Sequence, residues 1–402
     1  MIHPLRSREL LRMGRVPQVW SVNFGRSKQG VRGNAAVGLV ANVSKDGSAV
    51  RNDFDRISIF QRPIFNATWD PYEHCWIDLV PADSPAFSWS PTQPYREVVY
   101  RCTPFWYRIQ SSPEYLPTAV YVADRPLDGY TLAPMFQNGE QPVYRPCFEM
   151  ALGEDGLPHS RAGLAPLCSS GTDLMQKAHR FSNAARTERL ADWFSDVLLL
   201  LVEFATWSLG SVMSGQKGSE PALSGSCLPH LNASSGSLST GGACAWRGKE
   251  NPWKGVNSFL CDVMLRKTTV NGTPAMRFGH LKDVSRFSGN WNGYYTSFEQ
   301  AYVSGESGTK AIKAYALQSG LLYPIQATGT SEDGSTRGWS YLRTDHSNGR
   351  PTLVAVGGGN GNGMLENSVE GLPWNFEAVD QDDANAKKFG ARLILDEKTI
   401  VS

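Results

Sequence analysis

A single long segment, residues 187–209, repeats its apolar side chains at the spacing of an amphipathic helix. Thr187 stands where a helix cap is needed, and Gly210 follows the last periodic residue. The polar side of this helix carries three acidic residues, Asp192, Asp196 and Glu203. A second helix is expected over residues 172–185. These two segments are the only places where the sequence predicts a helix of more than one or two turns.

The rest of the chain is rich in residues that interrupt regular structure. Glycine (39) and proline (24) together account for 63 of the 402 residues, which favours short strands, turns and long loops. Strands are expected at residues 98–100 and 105–109, and short helical turns only at residues 298–301 and 310–318. Residues 211–243 are rich in glycine and serine and nearly free of large apolar side chains, so they are expected to form a long loop or an ordered insertion.

These patterns predict an α+β fold in two parts. Residues 1–64 form short β-like runs separated by glycine and asparagine, and are interpreted as a small β-rich N-terminal docking domain. Residues 65–402 are expected to form a larger domain with few helices and long loops. The aromatic residues concentrated in residues 64–110 are numerous enough to build a substantial core.

Charge and hydropathy exclude two classes of partner. The chain has 39 basic and 38 acidic side chains, without the basic excess that nucleic-acid binding by bulk electrostatics requires. Its longest apolar run, residues 197–202, is far shorter than the roughly 20 residues of a membrane-spanning helix. The N-terminus lacks the apolar stretch of a secretory signal. We therefore expect synthesis in a cytosol, no membrane insertion and no nucleic-acid partner.

The sequence offers little that indicates catalysis. The seven histidines are scattered, and no metal-binding or nucleophile-elbow motif is present. The seven cysteines include no CxxC pair and are expected to be reduced and mostly buried. The acidic residues 380–383 are interpreted as a solvated loop rather than a cation site. We expect no enzymatic activity, no cofactor and no bound metal.

The most specific motif of the chain lies in residues 245–256. Its two tryptophans flank charged residues, and its glycines permit close backbone approach. It is interpreted as a buried structural device, in which the arginine is paired with Glu250 or with a backbone carbonyl. Its key residues are Trp246, Arg247, Glu250, Asn251 and Trp253.

This motif resembles the signature of bacteriophage virion proteins that carry a C-type-lectin-like domain, which is similar to the formylglycine-generating-enzyme fold. Other segments resemble that family in the same chain order, over about residues 65–395: residues 67–70, 98–107, 126–136, 201–207, 357–359 and 389–393. No cysteine follows Cys261, so the late cysteine pair that the resembled oxidases use is missing. The Glu-Pro-Asn and Trp-Asn-Asp motifs of calcium-dependent lectins are also not matched.

In the fold that the resemblance implies, long loops on a small sheet present the binding surface. Three loops rich in aromatic residues and asparagine are therefore candidates for receptor contact. The first contains Asn290, Trp291, Asn292, Tyr294 and Tyr295. The second contains Trp339, Tyr341 and Arg343, and the third Asn360, Asn362, Met364, Glu366 and Asn367. In the alternative interpretation the aromatics belong to the core and the Asn-Gly pairs are plain turns. Composition favours the core for Trp291 and Trp339, and exposure for residues 360–368.

The resemblance implies a virion protein, made in the host cytoplasm and released by lysis. The first hypothesis is an adhesin of the tail tip or fibre that binds a host surface glycan or protein through the lectin-like loops. The alternative is a capsid decoration or baseplate protein that uses the same fold for assembly only. Because the chain has no heptads and no repeat that would form a shaft, contacts with other virion proteins are expected. A homo-oligomer, a trimer or a symmetric ring, is also expected.

Overall fold

The computed structural model describes residues 16–397, except for residues 26, 28, 47, 113–114, 137–138, 208, 214–222, 228–236, 241–242, 253–256, 271–272, 298–307, 319, 329–340, 345–351, 357–375 and 380–388. Within these ranges the fold is β-rich, with several sheets and two helices longer than one turn. This confirms the expected β-rich fold with few helices. No helix among the described residues is long and apolar enough to span a membrane.

The helices are α1 (Gly171–Phe181), α2 (Leu190–Phe204) and the single turn α3 (Leu209–Val212). Helix α1 begins where the Ser170 side chain accepts a hydrogen bond from the Asp173 amide at 3.3 Å. It ends earlier than expected, because the backbone is extended at Ser182 and a turn follows.

The predicted start of the long helix at Thr187 is wrong. Helix α2 begins at Leu190, where two carboxylates satisfy the first amides. Asp192 accepts from the Arg189 amide at 3.0 Å, and Asp262 accepts from the Leu190 amide at 2.8 Å. The predicted end at residue 209 is also wrong, because the helix stops at Phe204, where the following Ala205 takes a left-handed conformation with φ of 52°.

The N-terminal third of the chain forms two antiparallel sheets, whose strands are numbered along the chain. Five strands are ordered β2-β1-β7-β6-β8, and four are ordered β4-β3-β5-β9. Their bounds are β1 Val19–Asn23, β2 Val31–Asn34, β3 Ile64–Asp70, β4 Cys75–Pro81, β5 Arg96–Cys102, β6 Trp106–Ser112, β7 Tyr115–Ala123, β8 Thr131–Leu132 and β9 Val143–Pro146. The strands expected at residues 98–100 and 105–109 fall within β5 and β6.

The first strands cross the boundary that the sequence placed near residue 64. Strand β1 pairs with β7, with Trp20 opposite Val122 and Val22 opposite Val120. Residues 19–23 are therefore an interior strand of a sheet that residues 106–132 complete. The expected β-like runs between residues 35 and 60 are mostly turns, with a short 3₁₀ helix at Asp53–Arg56.

Short strands connect the middle of the chain to its end. Their bounds are β10 Ala151–Leu152, β11 Pro158–His159, β12 Ala185–Arg186, β13 Ser237–Thr240, β14 Ala243–Trp246 and β15 Lys249–Glu250. Strand β10 pairs with β11, and β13, β14 and β15 form a three-stranded sheet. Part of the expected Gly/Ser-rich loop, Ser237–Thr240, is thus a strand. Strand β12 pairs with β25, Ile394–Leu395, which ties the end of the chain to the start of α2.

The C-terminal sheet is the largest, with eight strands ordered β18-β17-β16-β22-β23-β21-β19-β20 and a ninth, β24, beside β16. Their bounds are β16 Asn257–Val270, β17 Thr273–Leu281, β18 Tyr295–Ser297, β19 Gly308–Gln318, β20 Leu321–Thr328, β21 Tyr341–Thr344, β22 Thr352–Val356, β23 Phe376–Val379 and β24 Phe389–Gly390. The helical turn expected at residues 310–318 is wrong, because this segment pairs with β20 as a strand. Residues 298–301 lie outside the described residues.

Two apolar clusters form the core. The larger surrounds α2, all of whose residues are buried, and the smaller surrounds α1. Strand β16 contributes to both, because its alternate side chains point to opposite faces. Val263 and Leu265 join the larger cluster, while Met264 joins the smaller one.

Candidate functional site

The motif of residues 245–256 is buried, as the sequence predicted for the part that the structure describes. Trp246 is fully buried, and Arg247, Glu250 and Asn251 are at most 7% exposed. Arg247 and Asn251 have φ of 46° and 45°, so two non-glycine residues hold left-handed conformations here. Trp253 lies outside the described residues.

The partner predicted for Arg247 is wrong. Its guanidinium pairs with Glu203 of α2, with Nε and Nη2 at 2.9 and 2.8 Å from the two carboxylate oxygens. The same carboxylate accepts hydrogen bonds from the Trp246 indole at 2.9 Å and from the Asn52 amide at 2.7 Å. Burial alone would raise the pKa of Glu203, but the charge of Arg247 and these hydrogen bonds outweigh it and lower the pKa.

Glu250 instead closes a turn of the Gly/Ser-rich segment. Its carboxylate accepts from the amides of Gly225 and Cys227 at 2.9 and 2.8 Å, and from the Ser226 hydroxyl at 3.1 Å. Burial raises the pKa of Glu250 despite these bonds. The described part of the insertion is therefore fastened to the motif that follows it.

The polar side of α2 faces buried cations. Asp196 bonds to Arg62 at 2.6 Å and to Lys249 at 3.0 Å. Asp192 lies 2.6 Å from Arg186 and 2.9 Å from Arg145. Burial would raise the pKa of Asp192, but the surrounding guanidinium groups hold it well below its usual value. These charges are paired and shielded from solvent, so they join α2 to the sheets around it.

A second buried group joins the hairpin β10–β11 to the four-stranded sheet. The His159 Nδ1 lies 2.6 Å from a Glu97 oxygen, and its Nε2 lies 3.0 Å from both Asp155 oxygens. Burial alone would lower the pKa of His159, but the hydrogen bond and charge of Glu97 outweigh it and raise the pKa. His159 and Glu97 are each 1% exposed, which makes this group another internal fastening.

The loop of residues 282–294 is the exposed candidate that the structure describes. Asp283 begins it by accepting from the Ser285 amide at 3.1 Å, and Asn292 accepts from the Tyr294 amide at 2.9 Å. The Arg286 guanidinium lies 4.5 Å from the centre of the Tyr294 ring. Tyr294 is 52% exposed, so the loop presents an aromatic ring and a cation side by side.

Trp291 anchors this loop on the sheet. Its indole stacks on the Tyr295 ring with centroids 5.6 Å apart, and it covers Gly279 of β17. A Cβ at Gly279 would lie 2.2 Å from the indole, so only glycine permits this approach. Trp291 packs against the smaller core cluster yet remains partly exposed. One part of the Trp291 ring therefore packs against the core and another part reaches the surface, so each of the two interpretations is correct for part of this side chain.

Tyr295 is not a surface contact. It is only 6% exposed, and it belongs to the smaller core cluster because it follows Tyr294 on the opposite face of the chain. Asn290 is exposed and Asn292 half-buried, and Asn292 donates to the Ser288 hydroxyl at 3.0 Å. Of the first predicted loop, Asn290, Asn292, Trp291 and Tyr294 thus reach the surface.

No protein-family model and no curated protein matches the chain.

The other two predicted loops are described only in part or not at all. Tyr341 and Arg343 belong to strand β21, which lies between β23 and β19. Trp339 and the third loop, with Asn360, Asn362, Met364, Glu366 and Asn367, lie outside the described residues.

The remaining predictions concern chemistry. All seven cysteines are described, none forms a disulfide and five are buried, as expected. Within the described ranges, no group of three or more His, Cys, Asp or Glu side chains is placed to hold a metal ion.

Sequence reasoning missed the arginines beside the aromatic loop. Arg266 is exposed on β16 and lies 5.7 Å from the centre of the Trp291 ring. Arg277 faces it from β17. The mostly apolar run of residues 259–265 indicates a buried strand, but nothing local indicates that the arginine that follows it meets a tryptophan 25 residues later.

Proposed function

We infer that the protein is a bacteriophage virion adhesin whose lectin-like domain binds a host-cell surface through exposed loops. The C-type-lectin-like assignment is part of this proposal and rests on the resemblance of the segments described above. The proposal places other virion proteins, and a second copy of the chain in a homo-oligomer, as assembly partners. It assigns the chain no catalytic role.

The observation that carries the proposal is the contrast between a rigid interior and the loop of residues 282–294. Buried ion pairs hold α2, the motif at 245–251 and the N-terminal segment in fixed positions. The loop contributes Trp291 to this framework and leaves Tyr294 and Arg286 in solvent. Exposed tyrosine and arginine on a fixed support are typical of recognition surfaces, because they provide contact area at low entropic cost.

A capsid decoration or baseplate protein is the alternative. It would use the same surface against a neighbouring virion subunit, and the exposed Tyr294 fits that role as well. The two functions differ in location and in what the loop contacts, so an experiment on intact particles separates them.

The adhesin proposal predicts that Tyr294→Ala weakens binding of the purified protein to host cells while its melting temperature stays close to that of the wild type. Tyr294 is half-exposed and outside both core clusters, so its loss removes contact area rather than core packing. Cell binding is measured by flow cytometry with labelled protein. Tyr72→Ala is the matched control, because Tyr72 is 85% exposed in the turn between β3 and β4, away from the loop of residues 282–294.

Immunogold labelling of intact particles supplies the second measurement. Label at the tail tip, together with reduced cell binding by Tyr294→Ala, supports the adhesin. Label spread over the head, with cell binding absent in the wild type, would instead establish the decoration role.

A further inference from the structure

Two arginines lie directly opposite each other at the exposed end of β16 and β17. The register pairs Arg266 with Arg277, and the preceding pair on the same face is Met264 with Gly279. Directly opposed residues in an antiparallel pair have Cβ atoms about 4.5–5.5 Å apart. Like charges on directly opposed residues destabilise strand pairing, and an anion bound between the two guanidinium groups relieves that repulsion.

Neither arginine has a carboxylate partner in the part of the chain that the structure describes. The ion pairs of this region join His280 to Asp262 and Arg286 to Asp283, and they leave Arg266 and Arg277 out. The Nε atom of Arg277 is buried and has no hydrogen-bond partner among the described residues.

An apolar ring borders this arginine pair. Gly279, two residues from Arg277 on the same face of β17, lies beneath the Trp291 indole, and Arg266 lies 5.7 Å from the centre of that indole. Trp291 is partly exposed and is held in place by its stacking on Tyr295. The surface therefore combines two guanidinium groups with the edge of a fixed aromatic side chain.

We propose that Arg266, Arg277 and Trp291 form a binding site for an anionic glycan, a sugar that carries a carboxylate, sulfate or phosphate group. The guanidinium groups donate charge-assisted hydrogen bonds to the anion, for which their planar fork is suited. The indole contacts the apolar part of the sugar ring. The choice of a glycan rests on the proposed adhesin function, whereas the anion specificity rests on the arginine pair.

The test compares dextrans of equal chain length that are neutral, carboxymethylated, sulfated or phosphorylated, titrated calorimetrically into the full chain. The wild type is expected to bind at least one charged dextran about tenfold or more tightly than neutral dextran. The charged dextran that binds most tightly identifies the anionic group that the site prefers. Inorganic phosphate and sulfate, titrated alone, are expected to bind more weakly than the charged dextran, because they lack the ring that contacts Trp291.

Arg266→Gln and Arg277→Gln are each expected to reduce binding of that charged dextran by about tenfold, with neutral dextran unaffected. Arg266→Lys keeps the charge but loses the planar guanidinium fork, so its affinity for the charged dextran is expected to lie between those of the wild type and Arg266→Gln. Arg108→Gln is the matched control. Arg108 is exposed and lies 4.5 Å from the centre of the Tyr121 ring on the five-stranded sheet, so its loss removes the same charge and a similar contact elsewhere.

Equal binding of neutral and charged dextrans by the wild type would overturn the proposal, as would an equal loss in Arg108→Gln and Arg266→Gln. Because Arg266 is exposed, its variant stays informative even where Arg277→Gln proves poorly folded. The adhesin proposal fails separately, when the wild type selects the charged dextran and yet does not bind host cells.

Discussion

Glu203 illustrates how single buried residues hold this molecule together. Its two oxygens receive hydrogen bonds from Arg247, Trp246 and Asn52, which come from segments far apart in the sequence. The carboxylate is fully buried, so these partners rather than solvent compensate its charge. Substituting any one of these partners therefore leaves the buried charge of Glu203 less well compensated.

Arg247→Ala is expected to destabilise the protein by about 3–5 kcal/mol, because it leaves Glu203 buried and without its cation. Chemical denaturation of the purified variant measures the change in the free energy of unfolding. Arg51→Ala is the control: Arg51 also pairs with a carboxylate, Asp53, but its side chain is 65% exposed, and little change in stability is expected. Equal midpoints for wild type and Arg247→Ala would show that the pair contributes nothing.

At the residue scale, the sequence predicted which side chains are buried better than it predicted which residues they pair with. The two tryptophans and the glycine of the motif at 245–256 indicate a buried segment, and Trp246 and Arg247 are buried. The sequence predicted Glu250 or a backbone carbonyl as the partner of Arg247, but the true partner, Glu203, is 44 residues away. Pairing across such a distance depends on how α2 packs on the sheets, which no local pattern encodes.

At the scale of elements, the regular spacing of apolar residues correctly predicted α2. The helical turn that was predicted at residues 310–318 is wrong, because this segment belongs to β19. The stripe of apolar residues in 187–209 is long enough to identify a helix, although the helix is shorter than predicted at both ends. Residues 310–318 contain alanine, lysine and leucine, which favour helix intrinsically. Pairing with β20 and β21 overrides that preference, because hydrogen bonds on both sides of the strand outweigh a few tenths of a kcal/mol per residue.

The contact between His159 of the hairpin β10–β11 and Glu97 of the four-stranded sheet can be tested by the pH dependence of stability. The pKa of His159 is raised by Glu97, so the protonated form stabilises the fold below the ordinary histidine pKa of about 6.5. That stabilisation is lost as the pH rises through the raised pKa of the folded state. The melting temperature of the wild type is therefore expected to fall, relative to His159→Gln, as the pH rises above about 6.5. Glutamine keeps a donor toward Glu97 but does not titrate, so parallel pH profiles for the two proteins would contradict this role.

At the scale of the whole molecule, the N-terminal segment is part of the core that α2 organises. Trp20 and Val22 of β1 belong to the larger cluster, and Arg62 bonds to Asp196 across 134 residues of sequence. The sequence placed a boundary at residue 64 because the composition changes there, from glycine-rich runs to a dense aromatic region. Composition reports what a segment contains but not which strands it pairs with, and β1 pairs with β7.

A chain that begins at residue 65 is therefore expected not to fold. It would lack β1, which lies between β2 and β7, and it would leave Asp196 without Arg62 and Glu203 without Asn52. Loss of the buried Trp20 alone typically costs about 3–5 kcal/mol, and each buried carboxylate that loses a partner adds a further penalty, so the sum is comparable to the whole stability of many domains. A chain that begins at residue 16 retains every contact described above and serves as the control. Circular dichroism and calorimetry compare the two, and a cooperative melting transition in the chain of residues 65–402 would establish it as an independent domain.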